Sequence, residues 1–146
     1  MASAEVARRT GARTIRTIME ESCVPLVLVV DDDSRSRELL RIILRHAGYR
    51  VIVAPDAQSA VTLLDVERPE IALVDFMMPG MTGLEFCRWL RKHPDLAALK
   101  FVLLTGMDDD QTRAEAAAAG ADDVVIKPFD RTVLVDRLAR FRSNLS

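Results

Sequence analysis

From Leu26 onward, short apolar runs rich in β-branched residues alternate with stretches that repeat at helical spacing. That beat leaves a chain few ways to fold. Leu26–Asp31, Val51–Ala54, Ile71–Asp75, Phe101–Leu104 and Val124–Ile126 read as strands. Their apolar residues are consecutive, not alternate, so each strand is expected to be covered on both faces. Between them, Ser34–Ala47 sets Leu39, Leu40, Ile43, Leu44 and Ala47 at helical spacing, and Gly48 ends the helix. Asp56 caps a second helix running to about Glu67, stopped by Pro69. Leu84–Lys92 is a third, closed by His93-Pro94. Asp108–Ala119 is an alanine-rich fourth, with three acids at its positive end. Asp130 opens a fifth, with a stripe of Leu134, Leu138, Phe141 and Leu145; Phe141 and Leu145 read either as surface past the sheet edge for a partner or further domain, or as a frayed tail.

Strands covered on both sides and joined by helices run parallel through right-handed crossovers. The expected architecture is α/β: a three-layer, doubly wound (βα)5 domain with a parallel five-stranded sheet in the flavodoxin-like order 2-1-3-4-5. Residues 25–142 form this domain. Residues 1–24 read as an N-terminal arm, mobile or a short helix, with Arg8, Arg9, Arg13 and Arg16 against Glu5; residues 143–146 read as a tail.

Composition excludes several classes. The longest apolar run, Leu26–Val30, is far short of the roughly 20 residues that span a bilayer, so no membrane insertion is expected. Cys23 and Cys87 are too few for a disulfide framework or a zinc site, and a reducing cytoplasm is the expected compartment. A net charge of -2 supplies no bulk basic charge, and direct nucleic-acid binding is not expected.

In a doubly wound sheet, ligands sit beyond the carboxyl ends of the strands, near the switch between strands 1 and 3. Those ends carry Asp31-Asp32-Asp33, Asp75, Thr105-Gly106 and Lys127-Pro128. Clustered carboxylates raise one another's pKa unless a cation lies among them. An oxygen-only set suits Mg²⁺, and with no histidine or cysteine nearby zinc is disfavoured. A lysine and a hard cation around carboxylates suit phosphoryl oxygens, and a carboxylate there can itself become an aspartyl phosphate. Plainer readings stand beside these: a solvated acid run for Asp31–Asp33, a turn acid for Asp75, core filling for Met77 and Met78. Phe86 and Trp89 read as packing residues. His46 and His93 read as too isolated to hold a metal, and Cys87 as buried and inert.

Four motifs in order then carry a resemblance. They are Leu28-Val29-Val30-Asp31-Asp32-Asp33, Val74-Asp75-Phe76-Met77-Met78-Pro79-Gly80-Met81-Thr82-Gly83, Leu103-Leu104-Thr105-Gly106 and Val125-Ile126-Lys127-Pro128-Phe129. Over about residues 25–142 the chain resembles the receiver domain of two-component response regulators. The resemblance implies that Asp75 is the phosphoacceptor. It implies that Asp32 binds Mg²⁺ directly, Asp31 through a water, and the Met77 backbone carbonyl as a further ligand. Lys127 would pair with phosphoryl oxygens, and the Thr105 hydroxyl would move to meet them. A cis peptide bond is implied between Lys127 and Pro128, and Gly83 would open the following helix. The implied role is a phosphorylation-dependent switch, not an enzyme. A histidine kinase or histidine phosphotransfer protein would phosphorylate it. The fourth helix, fifth strand and fifth helix would then change, to control a partner or output domain, and the same face offers a homodimer contact.

Three positions depart from the family's pattern. Val124 stands where the family carries Tyr or Phe three residues before the lysine. Met77 and Met107, each two residues past a site residue, stand where the hydrolytic water approaches, which implies a long-lived acyl phosphate. Val124 also feeds an alternative, a constitutive binding module whose phosphorylation is unused. Met77 excludes the aspartate-based phosphatase, which needs an acid there, and no P-loop is present.

Overall fold

A computed structural model describes residues 24–145. The expected N-terminal arm lies outside the described residues but for Val24, as does Ser146. In chain order the elements are β1 (Leu26–Val30), α1 (Ser34–His46), β2 (Arg50–Ala54), α2 (Ala57–Leu64), β3 (Ile71–Asp75) and α3 (Gly83–Arg91). A 3-10 turn at Pro94–Leu96 precedes β4 (Lys100–Thr105), α4 (Asp110–Ala119), β5 (Asp123–Ile126) and α5 (Arg131–Leu145). The five strands form one parallel sheet in the order β2-β1-β3-β4-β5. This is the expected doubly wound order.

Strand pleating divides the core into two layers. Val27, Val29, Ile71, Leu73, Val102, Leu104 and Val125 face α1 and α5, where Leu40, Leu44, Leu134 and Leu138 meet them. Leu28, Val30, Ala72, Val74, Phe101 and Leu103 face α2, α3 and α4, where Ala60, Leu64, Phe86, Leu90 and Ala116 meet them. Every residue of β1 and β3 is buried. Each of their large apolar side chains contributes about 1.5–3 kcal/mol by burial. The buried Cys87 thiol donates to the Ala119 carbonyl at 3.4 Å, and burial pushes its pKa up to about 11.

The helix ends follow local chemistry. Asp33 caps α1, accepting from the Arg35 amide at 3.2 Å and the Ser36 hydroxyl at 3.1 Å. Thr82 and Glu85 form a reciprocal capping box on α3, with bonds of 3.2 and 2.9 Å. Two expectations are corrected. Helix α2 stops at Leu64, not near Glu67, because the chain tightens there. The Asp65 and Val66 amides bond three residues back, and the Arg68 guanidinium takes the Leu64 carbonyl. Phe141 does not reach past the sheet. It is buried with Leu134, Leu138 and Tyr49, and the Arg142 guanidinium lies 5.0 Å from the centre of the Tyr49 ring.

Candidate functional site at the carboxyl edge

The sheet order brings four strand ends to one edge. β1 lies beside β3, β3 beside β4 with Asp75 opposite Leu104, and β4 beside β5 with Thr105 opposite Ile126. Two backbone bonds carry the pairing past the strand ends. The Asp31 amide donates to the Ala54 carbonyl at 3.1 Å, and the Lys127 amide to the Thr105 carbonyl at 2.8 Å.

At this edge Asp31 is 1% exposed and Asp75 8%, whereas Asp32 faces solvent. Asp31 Oδ1 accepts from the Asp33 amide at 2.9 Å. Lys127 Nζ sits between the two buried acids, 2.9 Å from Asp75 Oδ1 and 3.4 Å from Asp31 Oδ2. One oxygen from each of Asp31, Asp32 and Asp75 lies within 4.8 Å of the others. Thr105 is buried, and its Oγ accepts from the Met107 amide at 3.0 Å. The Lys127–Pro128 peptide bond is cis. Val124 is buried on β5, while Met77 and Met107 are 65% and 42% exposed.

Gly83 shows why α3 can begin here. A Cβ on it would lie 2.5 Å from the Asp75 carbonyl oxygen and 2.9 Å from Leu103 Cδ1. Only a residue without one lets the helix start against the end of β3. The Gly83 amide donates to the Phe76 carbonyl at 2.9 Å and closes the loop.

Three carboxylates face one ammonium, and the electrostatics follow. Burial raises the Asp75 pKa above the ordinary carboxylate value, the Lys127 contact opposes the rise, and the Asp31 and Asp32 charges add to it. For Lys127 burial works against the charged form, but the hydrogen bond to Asp75 and the pull of Asp31 hold its pKa above the usual lysine value. The uncompensated negative charge and the all-oxygen donor set fit a hard divalent cation and do not fit a soft one.

Two further contacts carry no sequence signal. Arg37 Nη1 donates to the Asp31 carbonyl at 2.8 Å, yet in sequence Arg37 is one of several arginines on α1. The Asp33 amide orients Asp31, although Asp33 reads only as a cap or a solvated acid.

A family model described as the response regulator receiver domain matches residues 27–139. The chain belongs to that family. This receiver domain is 40% identical over 119 residues to the DNA-binding response regulator MtrA of Mycolicibacterium paratuberculosis, covering 81% of this chain and 52% of MtrA. Its fold is similar to the chemotaxis protein CheY4 of Vibrio cholerae, with a TM-score of 0.78 and 30% identity, covering 81% of this chain and 98% of that one. It is also similar to the receiver domain of a Pseudomonas aeruginosa sensor histidine kinase, solved with a magnesium ion coordinated in its active-site cleft. There the TM-score is 0.75 and the identity 27%, covering 82% and 98% of the two chains. Receiver domains act in two-component signalling as phosphoacceptor switches and, broadly, not as enzymes. No helix among the described residues is long and apolar enough to cross a membrane.

The expected set of partners is corrected by these relatives. That set held a kinase or phosphotransfer protein and a second copy of the chain, and excluded nucleic acid. The receiver spans about half the length of the curated relatives it matches, and MtrA is named for binding DNA. The exclusion rested on a net charge of -2, which speaks only for the residues it counts.

Proposed function

We propose that this receiver domain accepts a phosphoryl group on Asp75 from a phosphohistidine donor and so changes the surface built by α4, β5 and α5. The observation that carries the reading is Lys127 Nζ, held between Asp75 Oδ1 and Asp31 Oδ2, two of the three clustered carboxylates. Asp32, Asp75 and the Met77 backbone carbonyl, with Asp31 through a water, are the groups assigned to hold magnesium. When bound, that ion offsets charge on the transferring phosphoryl group.

The remaining steps belong to the chain's own residues. An ionised Asp75 oxygen attacks phosphorus in line. The new P–O bond forms as the P–N bond breaks, and the electron pair returns to the imidazole of the donor. Lys127 keeps Asp75 ionised beforehand and neutralises phosphoryl oxygen charge afterwards. Thr105 Oγ, now the acceptor for the Met107 amide, turns to donate its hydroxyl proton to a phosphoryl oxygen. That turn releases the Met107 amide, and the loop between β4 and α4 moves with it. The change is a population shift between two arrangements of one fold. With Val124 in place of an aromatic ring, backbone and packing carry the change to β5. The name of MtrA supports a DNA-directed output for the switch.

The test is phosphorylation by acetyl phosphate with and without Mg²⁺, read by intact mass, with Asp75→Asn alongside. A Mg²⁺-dependent phosphoryl gain that the variant lacks supports the reading. No gain under conditions that phosphorylate a control receiver rejects it in favour of a constitutive binding module.

A further inference from the structure

We propose that Met77 and Met107 form an oxidation-sensitive rim beside Asp75, at which hydroperoxides convert thioethers to sulfoxides and shorten the lifetime of the phosphorylated state. The lifetime effect rests on the receiver reading of Asp75 given above.

All four methionines among the described residues, Met77, Met78, Met81 and Met107, lie in the loops that follow β3 and β4. Those loops are neighbours at the carboxyl edge, since the Phe76 amide donates to the Leu104 carbonyl at 2.8 Å. Met77 stands two residues past Asp75. Met107 stands two past Thr105, its amide anchored on the Thr105 hydroxyl at 3.0 Å. Seven large apolar side chains among the described residues are more than a third exposed, and the two methionines among them are the two at this site. Core packing therefore does not account for either one. Met78, adjacent to Met77 in the chain, is 8% exposed and belongs to the core beneath α3, which gives an internal comparison.

The chemistry balances without a cofactor. A hydroperoxide transfers one oxygen atom to the thioether sulfur. The S=O bond forms, the O–O bond breaks, sulfur gives up two electrons, and hydrogen peroxide leaves as water. A thioether is a weak hydrogen-bond acceptor, whereas a sulfoxide is polar and accepts well. Two such oxygens beside Asp75 turn a rim that repels water into one that holds it. Water then attacks phosphorus, the bond to the Asp75 oxygen breaks, and inorganic phosphate departs. Because neither side chain is part of the core, the fold is expected to survive the oxidation.

The experiment titrates the whole chain with hydrogen peroxide and maps sulfoxides by peptide mass spectrometry. The protein is then phosphorylated with acetyl phosphate and Mg²⁺, freed of donor, and followed by intact mass. Met77 and Met107 are expected to oxidise well before Met78, and the oxidised protein to lose its phosphoryl group about three- to tenfold faster. Methionine sulfoxide reductase should restore the slower decay. A Met77→Leu, Met107→Leu double variant should show a decay that peroxide does not change. Met78 oxidising as fast as Met77, an unresponsive decay in the phosphorylated wild type, or a peroxide response that persists in the double variant overturns the proposal. Failure of Asp75 to take any phosphoryl group overturns the receiver reading itself, and the lifetime effect with it.

Discussion

Asp75 works against the stability of its own fold when no cation is bound. Its pKa is raised, chiefly by burial, so folding favours its protonated form. The sign follows from linkage. Stability from this group is fully present below the ordinary carboxylate pKa, and is lost as pH rises through the higher folded value. Asp75→Asn should therefore stabilise the metal-free protein at pH values where the wild-type carboxylate is ionised. Thermal melts of both proteins in chelator from about pH 4 to 8 check this, and the gap should widen with pH. Added Mg²⁺ should raise the melting temperature of the wild type more than that of the variant, because the variant loses a ligand charge. A second residue-scale expectation concerns water. Met77→Asn with Met107→Gln puts hydrogen-bonding groups on the rim. Phosphoryl decay should quicken by about tenfold, measured by intact mass after donor removal.

At the scale of elements, the site depends on how tightly α3 begins and ends. Gly83→Ala drives a Cβ into the Asp75 carbonyl and the Leu103 side chain. The cost should be about 2–4 kcal/mol in urea melts, and Mg²⁺ binding should weaken because the end of β3 is displaced. At the other end, Arg91 fastens α3 to two separate segments, one before β4 and one between α4 and β5. Its guanidinium donates to the Gly120 carbonyl at 2.9 Å, the Ala97 and Leu99 carbonyls at 3.0 and 2.6 Å, and Asp122 Oδ2 at 2.9 Å. Asp122 Oδ2 in turn accepts from the Phe101 amide at 2.8 Å, at the start of β4. Arg91→Leu keeps the apolar stem and strands those acceptors, so it should cost about 2–4 kcal/mol in the same melts. Gly120 cannot compensate, since it holds a φ of +101° and its absent Cβ leaves room for the Arg91 side chain.

For the whole molecule, the question is how far a change at Thr105 travels. The first link is the bond from the Met107 amide to Thr105 Oγ, and Val124 then gives β5 no ring that could turn with it. Phosphorylation should therefore change backbone hydrogen exchange most in the loop between β4 and α4, and less along α5. Val124→Tyr should extend the exchange difference toward α5. Hydrogen-exchange mass spectrometry on both proteins, with and without phosphoryl donor, reads this directly. Equal changes along α5 in both would show that packing alone transmits the signal.

The fold class and the chain order of the site residues were legible in the sequence, because both are written locally. A run such as Leu28-Val29-Val30 must be covered on both faces wherever it lies, and helical spacing between such runs forces parallel crossovers. Strand ends marked by Asp31, Asp75, Thr105 and Lys127 then fall at one edge. What the tertiary structure decided was proximity and exposure, which depend on segments distant in sequence. Nothing local distinguishes Met77 from Met78, yet one is 65% exposed and the other 8%, because only Met78 meets the core beneath α3. Nothing local aims Arg37 at the Asp31 carbonyl, or brings Phe141 back onto Tyr49 instead of past the sheet. Helix α2 ends at Leu64, ahead of Pro69, where the Asp65 and Val66 amides turn to carbonyls three residues back. Periodicity reports which face a segment must bury, whereas its partner there is chosen by packing across the whole sheet.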